Sequence, residues 1–176
     1  MRRSVSLVSI VTVAVLLAVA PAASAEVSIE SVPRLQSAPV EKACGGMNVV
    51  ATDRNELTAT STYDERELLS RKITGRQLTL FEWVNSGNSI EIETLGTRTI
   101  TRNADGTYTL VLRGTGYWYD DGSLSGAAQL LRFTGTVRSV GEYEAGTFRF
   151  TPTTTTINGV TASICEMLVT GLKARH

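Results

Sequence analysis

The chain has 176 residues, with 17 basic and 17 acidic side chains and a single histidine. This balance is atypical of nucleic-acid-binding proteins and of polybasic membrane-surface proteins, both of which usually present a basic face. We therefore expect no nucleic-acid partner. Without the export signal described next, about 151 residues remain, enough for one domain and hardly for two.

The N-terminal residues 1–25 are typical of a cleavable secretory signal helix. Arg2 and Arg3 provide a positive start, residues 5–20 carry no charge, and Ala23-Ser24-Ala25 supplies the small residues that signal peptidase reads. The apolar stretch is shorter than the roughly 20 residues of a membrane-spanning helix. We therefore expect cleavage after Ala25, no membrane span after cleavage, and a secreted, extracellular product with a net charge of about −2.

The chain contains two cysteines, Cys44 and Cys165. An even count in an exported chain predicts a disulfide, and two buried free thiols are the alternative. The bridge would close a loop of about 120 residues, for which the chain-entropy model gives about 5 kcal/mol. Bridged cysteines have neighbouring Cα atoms, so the first and last elements of the fold should be neighbours. Two isolated cysteines without a nearby histidine do not form a zinc site, so we expect no metal.

After the signal, residues 26–42 are predicted to be an extended or disordered lead-in, and residues 43–176 a single β domain. From Cys44 onwards apolar and polar residues alternate with a period of two, which is typical of half-buried strands. Residues 64–72 are ambiguous, since their Glu and Leu residues favour a helix. The strand candidates, in chain order, are 47–52, 57–62, 77–83, 90–93, 97–102, 108–113, 129–137, 148–150 and 165–169.

Turn signals separate these candidates every 8–18 residues. They are Asn85-Ser86-Gly87-Asn88, Asn103-Ala104-Asp105-Gly106, Asp120-Asp121-Gly122-Ser123 and Asn158-Gly159. Many short strands with few helix signals predict an antiparallel all-β fold. Because the disulfide would bring the two ends of the meander together, we expect a β-barrel of about eight strands. A β-sandwich with adjacent terminal strands is the alternative.

Several catalytic schemes are excluded by composition. The only histidine is His176, at a chain end that is normally frayed, so Ser-His-Asp and Cys-His mechanisms are not expected. No Gly-rich phosphate loop follows a strand and opens a helix, so nucleotide use is not expected either. We predict no catalytic residue and no cofactor.

Paired carboxylates leave one enzymatic alternative, a hydrolase or isomerase. Two carboxyl groups facing each other across a cleft can hydrolyse glycosides, and residues i and i+2 of a strand share a face. Such chemistry competes with the simpler interpretation of solvated strand faces and turn residues. The pairs are Glu91 with Glu93, Asp120 with Asp121, and Glu142 with Glu144.

Aromatic residues form the most distinctive cluster. Alternation places Tyr117 and Tyr119 on one face of a strand and Trp118 on the other, and Trp83 is the only other tryptophan. Tyrosine and tryptophan combine a flat apolar body with a polar tip, which suits sugars, lipids or a protein partner. We predict these four residues as ligand-binding. The alternative is that Trp118 fills the core and the tyrosines lie at an edge.

The motif Gly116-Tyr117-Trp118 resembles the Gly-x-Trp signature of lipocalins, which are secreted eight-stranded barrels that carry small apolar ligands. In lipocalins this motif opens the first strand, whereas here it lies in the middle of the chain, so no lipocalin ligand site is transferred. More broadly, residues 44–170 resemble small secreted bacterial β-proteins of uncharacterised function. That resemblance implies an early and a late cysteine around Gly-punctuated strands, and no activity.

These observations together predict a secreted, non-catalytic β-barrel protein that binds a small apolar or sugar-like ligand. An extracellular protein-binding or inhibitor module is the alternative. The expected partner is accordingly a small molecule or an extracellular protein.

Overall fold

The structure, a computed structural model, describes residues 25–32, 35–40, 43–122, 124, 126–144 and 149–171. Residues 1–24, where the signal helix is predicted, lie outside the described residues. Within this part of the chain eight strands, one short helix and a 3-10 turn at Ala43–Gly46 are present. They are β1 (Glu26–Ser31), β2 (Leu35–Pro39), β3 (Val49–Asp64), β4 (Glu67–Trp83), β5 (Asn88–Arg102), β6 (Tyr108–Asp121), β7 (Ala128–Glu144), β8 (Arg149–Ser163) and α1 (Ile164–Thr170).

All eight strands belong to one antiparallel sheet, so the predicted all-β class with about eight strands is confirmed. From β3 to β8 the sheet is a simple meander in which each strand pairs with the next one. Both β1 and β2 lie beside β3, with β1 along Thr58–Tyr63 and β2 along Val50–Arg54. The predicted lead-in thus contributes two short strands to one end of the sheet.

The sheet is not closed into a barrel. Among the described residues no ladder joins β8 to β1, β2 or β3. The predicted closure assumed that the disulfide joins two strands, but Cys44 lies in the 3-10 turn and Cys165 in α1. The bridge therefore brings two short non-strand elements together, and no described strand pairs with the outer edge of β8 or with that of β1 and β2.

Six of the strands have 14 to 17 residues, longer than the alternation pattern predicts. Three local predictions change as a result. The ambiguous segment 64–72 is a tight turn at Glu65 and Arg66, both with positive φ, followed by the start of β4. The Asn158-Gly159 signal lies inside β8 and is not a hairpin, and residues 165–169 belong to α1 and not to a strand.

A row of five glycines crosses the sheet from β4 to β8, each glycine paired directly with the next. Their φ angles lie between +116° and +143°, a region that L-residues with a side chain rarely adopt. A Cβ atom at Gly96 would overlap the carbonyl oxygen of Arg113. Such glycines mark bends in strongly curved sheets. The row consists of Gly75, Gly96, Gly114, Gly135 and Gly159.

The curvature makes one face of the sheet concave. Tyr117 on β6 reaches across this interior, where its ring lies 5.0 Å from that of Phe81 on β4 in an edge-to-face arrangement. At the other end, Tyr108 on β6 donates its hydroxyl hydrogen to the carbonyl oxygen of Leu68 on β4, at 3.2 Å. Contacts between strands that are not neighbours in the sheet show that its two sides face each other.

One end of the interior is filled by a compact apolar cluster, which we call the disulfide core. The predicted Cys44–Cys165 disulfide is confirmed and lies here, with a Cα–Cα distance of 5.1 Å. The buried members of the disulfide core are Ala43, Cys44, Val49, Phe81, Ile90, Ile92, Leu130, Ile164 and Leu168.

The helix α1 closes this end of the sheet. The Ser163 hydroxyl accepts a hydrogen bond from the Glu166 amide, and Gly171 ends the helix in the left-handed conformation, so both ends are capped. Ile164 and Leu168 are one turn apart and point into the disulfide core. The described residues contain no helix that is long and apolar enough to cross a bilayer.

A gap in the sheet makes room for this helix. The ladder between β5 and β6 covers only Leu95–Arg102 against Tyr108–Thr115, on one side of the glycine row. On the other side the two strands are not paired with each other, and α1 packs against β5 and β7.

Candidate ligand-binding site

In the described part of the chain, two adjoining cavities lie in the concave interior beyond the disulfide core, and a third, of about 240 Å³, borders the disulfide core at Phe81 and Leu130. The first, which we call the polar cavity, has a volume of about 260 Å³ and lies against β3, β4 and β5, with the end of β1 at its rim. Its polar lining residues are Glu30, Ser31, Asp53, Asn55, Arg71, Gln77 and Arg98. Polar and charged side chains on the inner face of a sheet are costly unless they are paired.

Arg71 and Glu30 form an ion pair at the rim of the polar cavity. An Arg71 guanidinium nitrogen lies 2.6 Å from a Glu30 carboxylate oxygen, and Arg71 also donates to the Ser61 hydroxyl at 3.4 Å. Arg71 is only 5% exposed, whereas Glu30 on β1 is 43% exposed. The short N-terminal strand therefore supplies the negative charge that balances a buried arginine of the sheet.

Two hydroxyl groups donate hydrogen bonds to the Asp53 carboxylate. The Thr79 hydroxyl donates to Asp53 Oδ1 at 2.6 Å, and the Tyr117 hydroxyl donates to the same oxygen at 3.4 Å. Burial, and then the nearby Asp53 carboxylate, raise the pKa of Tyr117 above its usual range. At neutral pH this tyrosine is therefore a neutral hydrogen-bond donor to Asp53.

Gln77 connects Tyr117 to Arg98. Its side-chain nitrogen donates to the Tyr117 hydroxyl oxygen at 3.5 Å, and its side-chain oxygen accepts a hydrogen bond from Arg98 Nη2. A hydrogen-bonded chain thus runs from Arg98 through Gln77 and Tyr117 to Asp53. This chain holds the guanidinium of Arg98 in place between β5 and the opposite side of the interior.

The second cavity, which we call the apolar cavity, has a volume of about 240 Å³. It shares Ile73 and Arg98 with the polar cavity, so the two spaces adjoin at these side chains. The remaining lining residues are aliphatic or aromatic: Ile100, Leu110, Leu112, Tyr143, Phe150 and residues 117–119. Among the described residues, Arg98 is the only charged one that lines this cavity.

The predicted aromatic site is partly brought together. Tyr117, Trp118 and Tyr119 all border the apolar cavity. Trp83 lies apart from them, half-buried at the end of β4, where it is paired with Val49 and Asn88. It borders neither the polar nor the apolar cavity.

The paired carboxylates lie elsewhere. Glu93 is on the outer face of β5, 2.5 Å from the guanidinium of Arg76, and Glu91 on the same face is exposed. That ion pair raises the pKa of Arg76. Asp120 is buried and accepts hydrogen bonds from the amides of Gly122 and Leu124, so its carboxylate shapes the turn after β6.

The remaining carboxylates give no such geometry. Glu142 and Glu144 are exposed near the end of β7. The side chain of Asp121, together with His176, lies outside the described residues. In the described part of the chain, no group of three or more His, Cys, Asp or Glu side chains is placed to hold a metal ion.

Sequence reasoning missed the polar residues of the interior. Asp53 and Asn55 alternate with Arg54 and Glu56 along β3, so a period-two pattern is present but both of its faces are polar. Without an apolar face, alternation does not show which side points inward. A usable signal was the position of Asp53 and Asn55 two and four residues before Leu57, whose apolar side chain marks the inner face.

Comparisons with protein-family models, with curated proteins and with solved structures each find no match for this chain.

Proposed function

We propose that this chain is an exported, non-catalytic binding protein that holds a small molecule in the interior of its curved sheet. The observation that carries the proposal is the pair of adjoining cavities, one polar and one apolar, that meet at Arg98 and Ile73. The disulfide supports export, because such bridges persist in oxidising compartments. The signal peptide predicted for residues 1–25 supports the same route.

The size of the interior fits a small ligand. An apolar cavity of about 150 Å³ is enough to hold benzene. Each of the two cavities is larger than that, and together they fall within the roughly 300–1,000 Å³ of typical ligand sites. A ligand that used both would have a polar part facing β3 and β4 and an apolar part facing Leu110 and Leu112.

A bulky substitution at Ile73, a residue that both cavities share, tests this proposal. Ile73 lines both cavities, and its neighbour Thr74 is exposed on the opposite face of β4. Three probes cover the ligand classes: glucose, octanol and octanoate. Binding to the disulfide-bonded mature protein would be followed by shifts of amide signals in NMR spectra.

At least one probe should bind and shift the amide signals of cavity-lining residues. The Ile73→Phe variant should then lose most of that binding, and Thr74→Phe should keep it. If none of the probes binds, or if both variants bind equally well, small-molecule binding in this interior is wrong. The alternative of an extracellular protein-binding module, using the open edge of β8, would then take its place.

Export is tested separately. Expression of the full chain in a secreting bacterium should release a mature protein into the medium with Glu26 at its N-terminus. An intact N-terminus at Met1, or retention of the chain in the cytoplasm, would contradict export.

A further inference from the structure

Arg98 forms no ion pair with a described residue, and a hydrogen-bonded chain through Gln77 and Tyr117 links it to the Asp53 carboxylate. Its only hydrogen bond there is to the amide oxygen of Gln77, and no carboxylate oxygen lies within 4.0 Å of its guanidinium nitrogens. A guanidinium has five N–H donors, so several remain for another group. The half-buried position of Arg98 makes an unbalanced charge costly, which favours an anionic ligand.

The other charges of the polar cavity are already engaged. Arg71 is paired with Glu30, and Asp53 accepts from the hydroxyls of Thr79 and Tyr117. An anion entering the interior would therefore meet Arg98 as its available counter-charge. The hydrogen bond from Arg98 to Gln77 holds the guanidinium before a ligand arrives, which lowers the entropy lost on binding.

The surroundings of Arg98 differ on its two sides. Towards β3 and β4 it faces the polar cavity, and towards β6 it faces the apolar cavity, where Ile100, Leu110 and Leu112 provide an aliphatic wall. A ligand with its charge at Arg98 could therefore place an apolar body against this wall. Such a ligand is amphipathic, with one charged end.

We propose that the ligand is a small carboxylate with an apolar body: its carboxylate pairs with Arg98 and its body fills the apolar cavity. This inference rests on the proposed function. A carboxylate carries a single charge and matches the planar guanidinium with two parallel hydrogen bonds. A doubly charged phosphate would meet one unbalanced arginine and the nearby carboxylates of Asp53 and Glu30, so the charges would not match.

Matched probes test the charge and the body separately on the unmodified protein. Octanoate and octanol have the same number of carbon atoms and differ in charge, and butanoate and hexanoate shorten the body. Isothermal titration calorimetry on the mature, disulfide-bonded protein should find octanoate bound at least about tenfold more tightly than octanol. Affinity should rise about fourfold for each methylene group from butanoate to octanoate.

Variants assign the charge to Arg98. Arg98→Gln should weaken octanoate binding at least about tenfold and leave octanol binding nearly unchanged, because only the carboxylate uses the guanidinium. Arg98→Lys keeps the positive charge but lacks the planar guanidinium, so its affinity for octanoate should lie between those of the parent and of Arg98→Gln. Arg138→Gln, on the exposed face of β7, is the matched control and should bind as the parent does.

The outcomes separate the two claims. If octanol binds as tightly as octanoate and Ile73→Phe abolishes both, the interior binds a ligand but the carboxylate assignment is overturned. Unchanged octanoate binding in a folded Arg98→Gln variant overturns the assignment as well. If glucose, octanol and octanoate all fail to bind, the proposed function itself falls.

Discussion

The disulfide core and the two cavities occupy the same concave interior but are built in opposite ways. In the disulfide core, Phe81, Ile92, Ile164 and Leu168 are at most 1% exposed and pack around the bridge. In the cavities, charged and polar side chains such as Arg98 replace apolar ones, and open volume remains. Apolar side chains therefore dominate one end of the interior, where a cavity of about 240 Å³ borders Phe81 and Leu130, and charged and polar side chains line much of the other end.

We infer from this difference that the disulfide core stabilises the fold and that the two cavities are kept at a cost in stability. Tight apolar packing contributes most to stability, whereas a charge without a balancing partner and an unfilled cavity lower stability. Residues that reduce stability without an evident structural gain are often functional. Substitutions at the disulfide core, at the glycine row between the two regions, and at Tyr117, which touches both, test this contrast.

The largest effect is expected from the disulfide. The bridge joins residues 121 positions apart, so its removal frees a long loop in the unfolded chain. The Cys44→Ala/Cys165→Ala variant should lose about 3–5 kcal/mol of unfolding free energy, measured by urea denaturation. Reduction of the parent protein should give a similar change. A loss below about 1 kcal/mol would mean that the disulfide core does not dominate stability.

A smaller loss is expected at the glycine row. Gly96→Ala forces a Cβ atom into the carbonyl oxygen of Arg113 at a φ of +135°. It should cost about 2–3 kcal/mol of unfolding free energy. The control Gly87→Ala, in the turn after β4, has φ of +74° and no atom within 4 Å of the added Cβ, so it should cost only about 1–2 kcal/mol. Equal losses at the two sites would show that close approach along the row is unimportant.

The smallest effect is expected at high pH. Burial raises the pKa of Tyr117 in the folded protein, whereas the unfolded chain releases the same proton near pH 10. The contribution of Tyr117 to stability is therefore complete below about pH 10 and decreases as pH rises through the folded pKa. In Tyr117→Phe, the decline of unfolding free energy above pH 10 should be shallower than in the parent.

Tyr119→Phe is the matched control for this pH dependence, since Tyr119 is 38% exposed and lies two residues along the same strand. Its decline above pH 10 should follow that of the parent. If the Tyr117→Phe profile also followed that of the parent, burial would not be raising the pKa of Tyr117.

The strand content and most turns were predictable from the sequence, because they depend on local alternation and local turn chemistry. The turns at 85–88 and 103–106 were predicted where the structure has them, and Asp105 accepts hydrogen bonds from Thr107 as a turn aspartate should. The α1 helix was missed because Cys165, Met167 and Val169 also fit a strand pattern. Its signal was the capping box of Ser163 and Glu166.

The length of the strands was harder to predict, since glycine ordinarily interrupts a strand pattern. Here each turn lies midway between two glycines of the row: Asn85-Ser86 between Gly75 and Gly96, and Asp105 between Gly96 and Gly114. This symmetry follows from antiparallel pairing and was a readable signal for continuous strands. Barrel closure was not predictable from the cysteines, because their positions do not reveal whether they lie on strands.

The candidate binding region was the least predictable part of the fold. Tyr117, Trp118 and Tyr119 border the apolar cavity, and the sequence singled them out because aromatic clusters stand out in it. Arg98 did not stand out, because a lone arginine in a strand usually lies on the solvent face. Its inward position is shared with Ile100, two residues later on β5, whose buried apolar side chain marks the inner face.

Paired unfolding measurements on Phe81→Ala and Arg98→Gln test most directly whether the disulfide core, and not the cavity lining, stabilises the fold. Phe81 is fully buried in the disulfide core, and its truncation should lower the unfolding free energy by about 3–5 kcal/mol. Arg98→Gln removes a charge that no described carboxylate balances, so unfolding free energy should stay within about 1 kcal/mol of the parent or rise. A loss for Arg98→Gln as large as that for Phe81→Ala would contradict the account, because Arg98 would then be a structural residue.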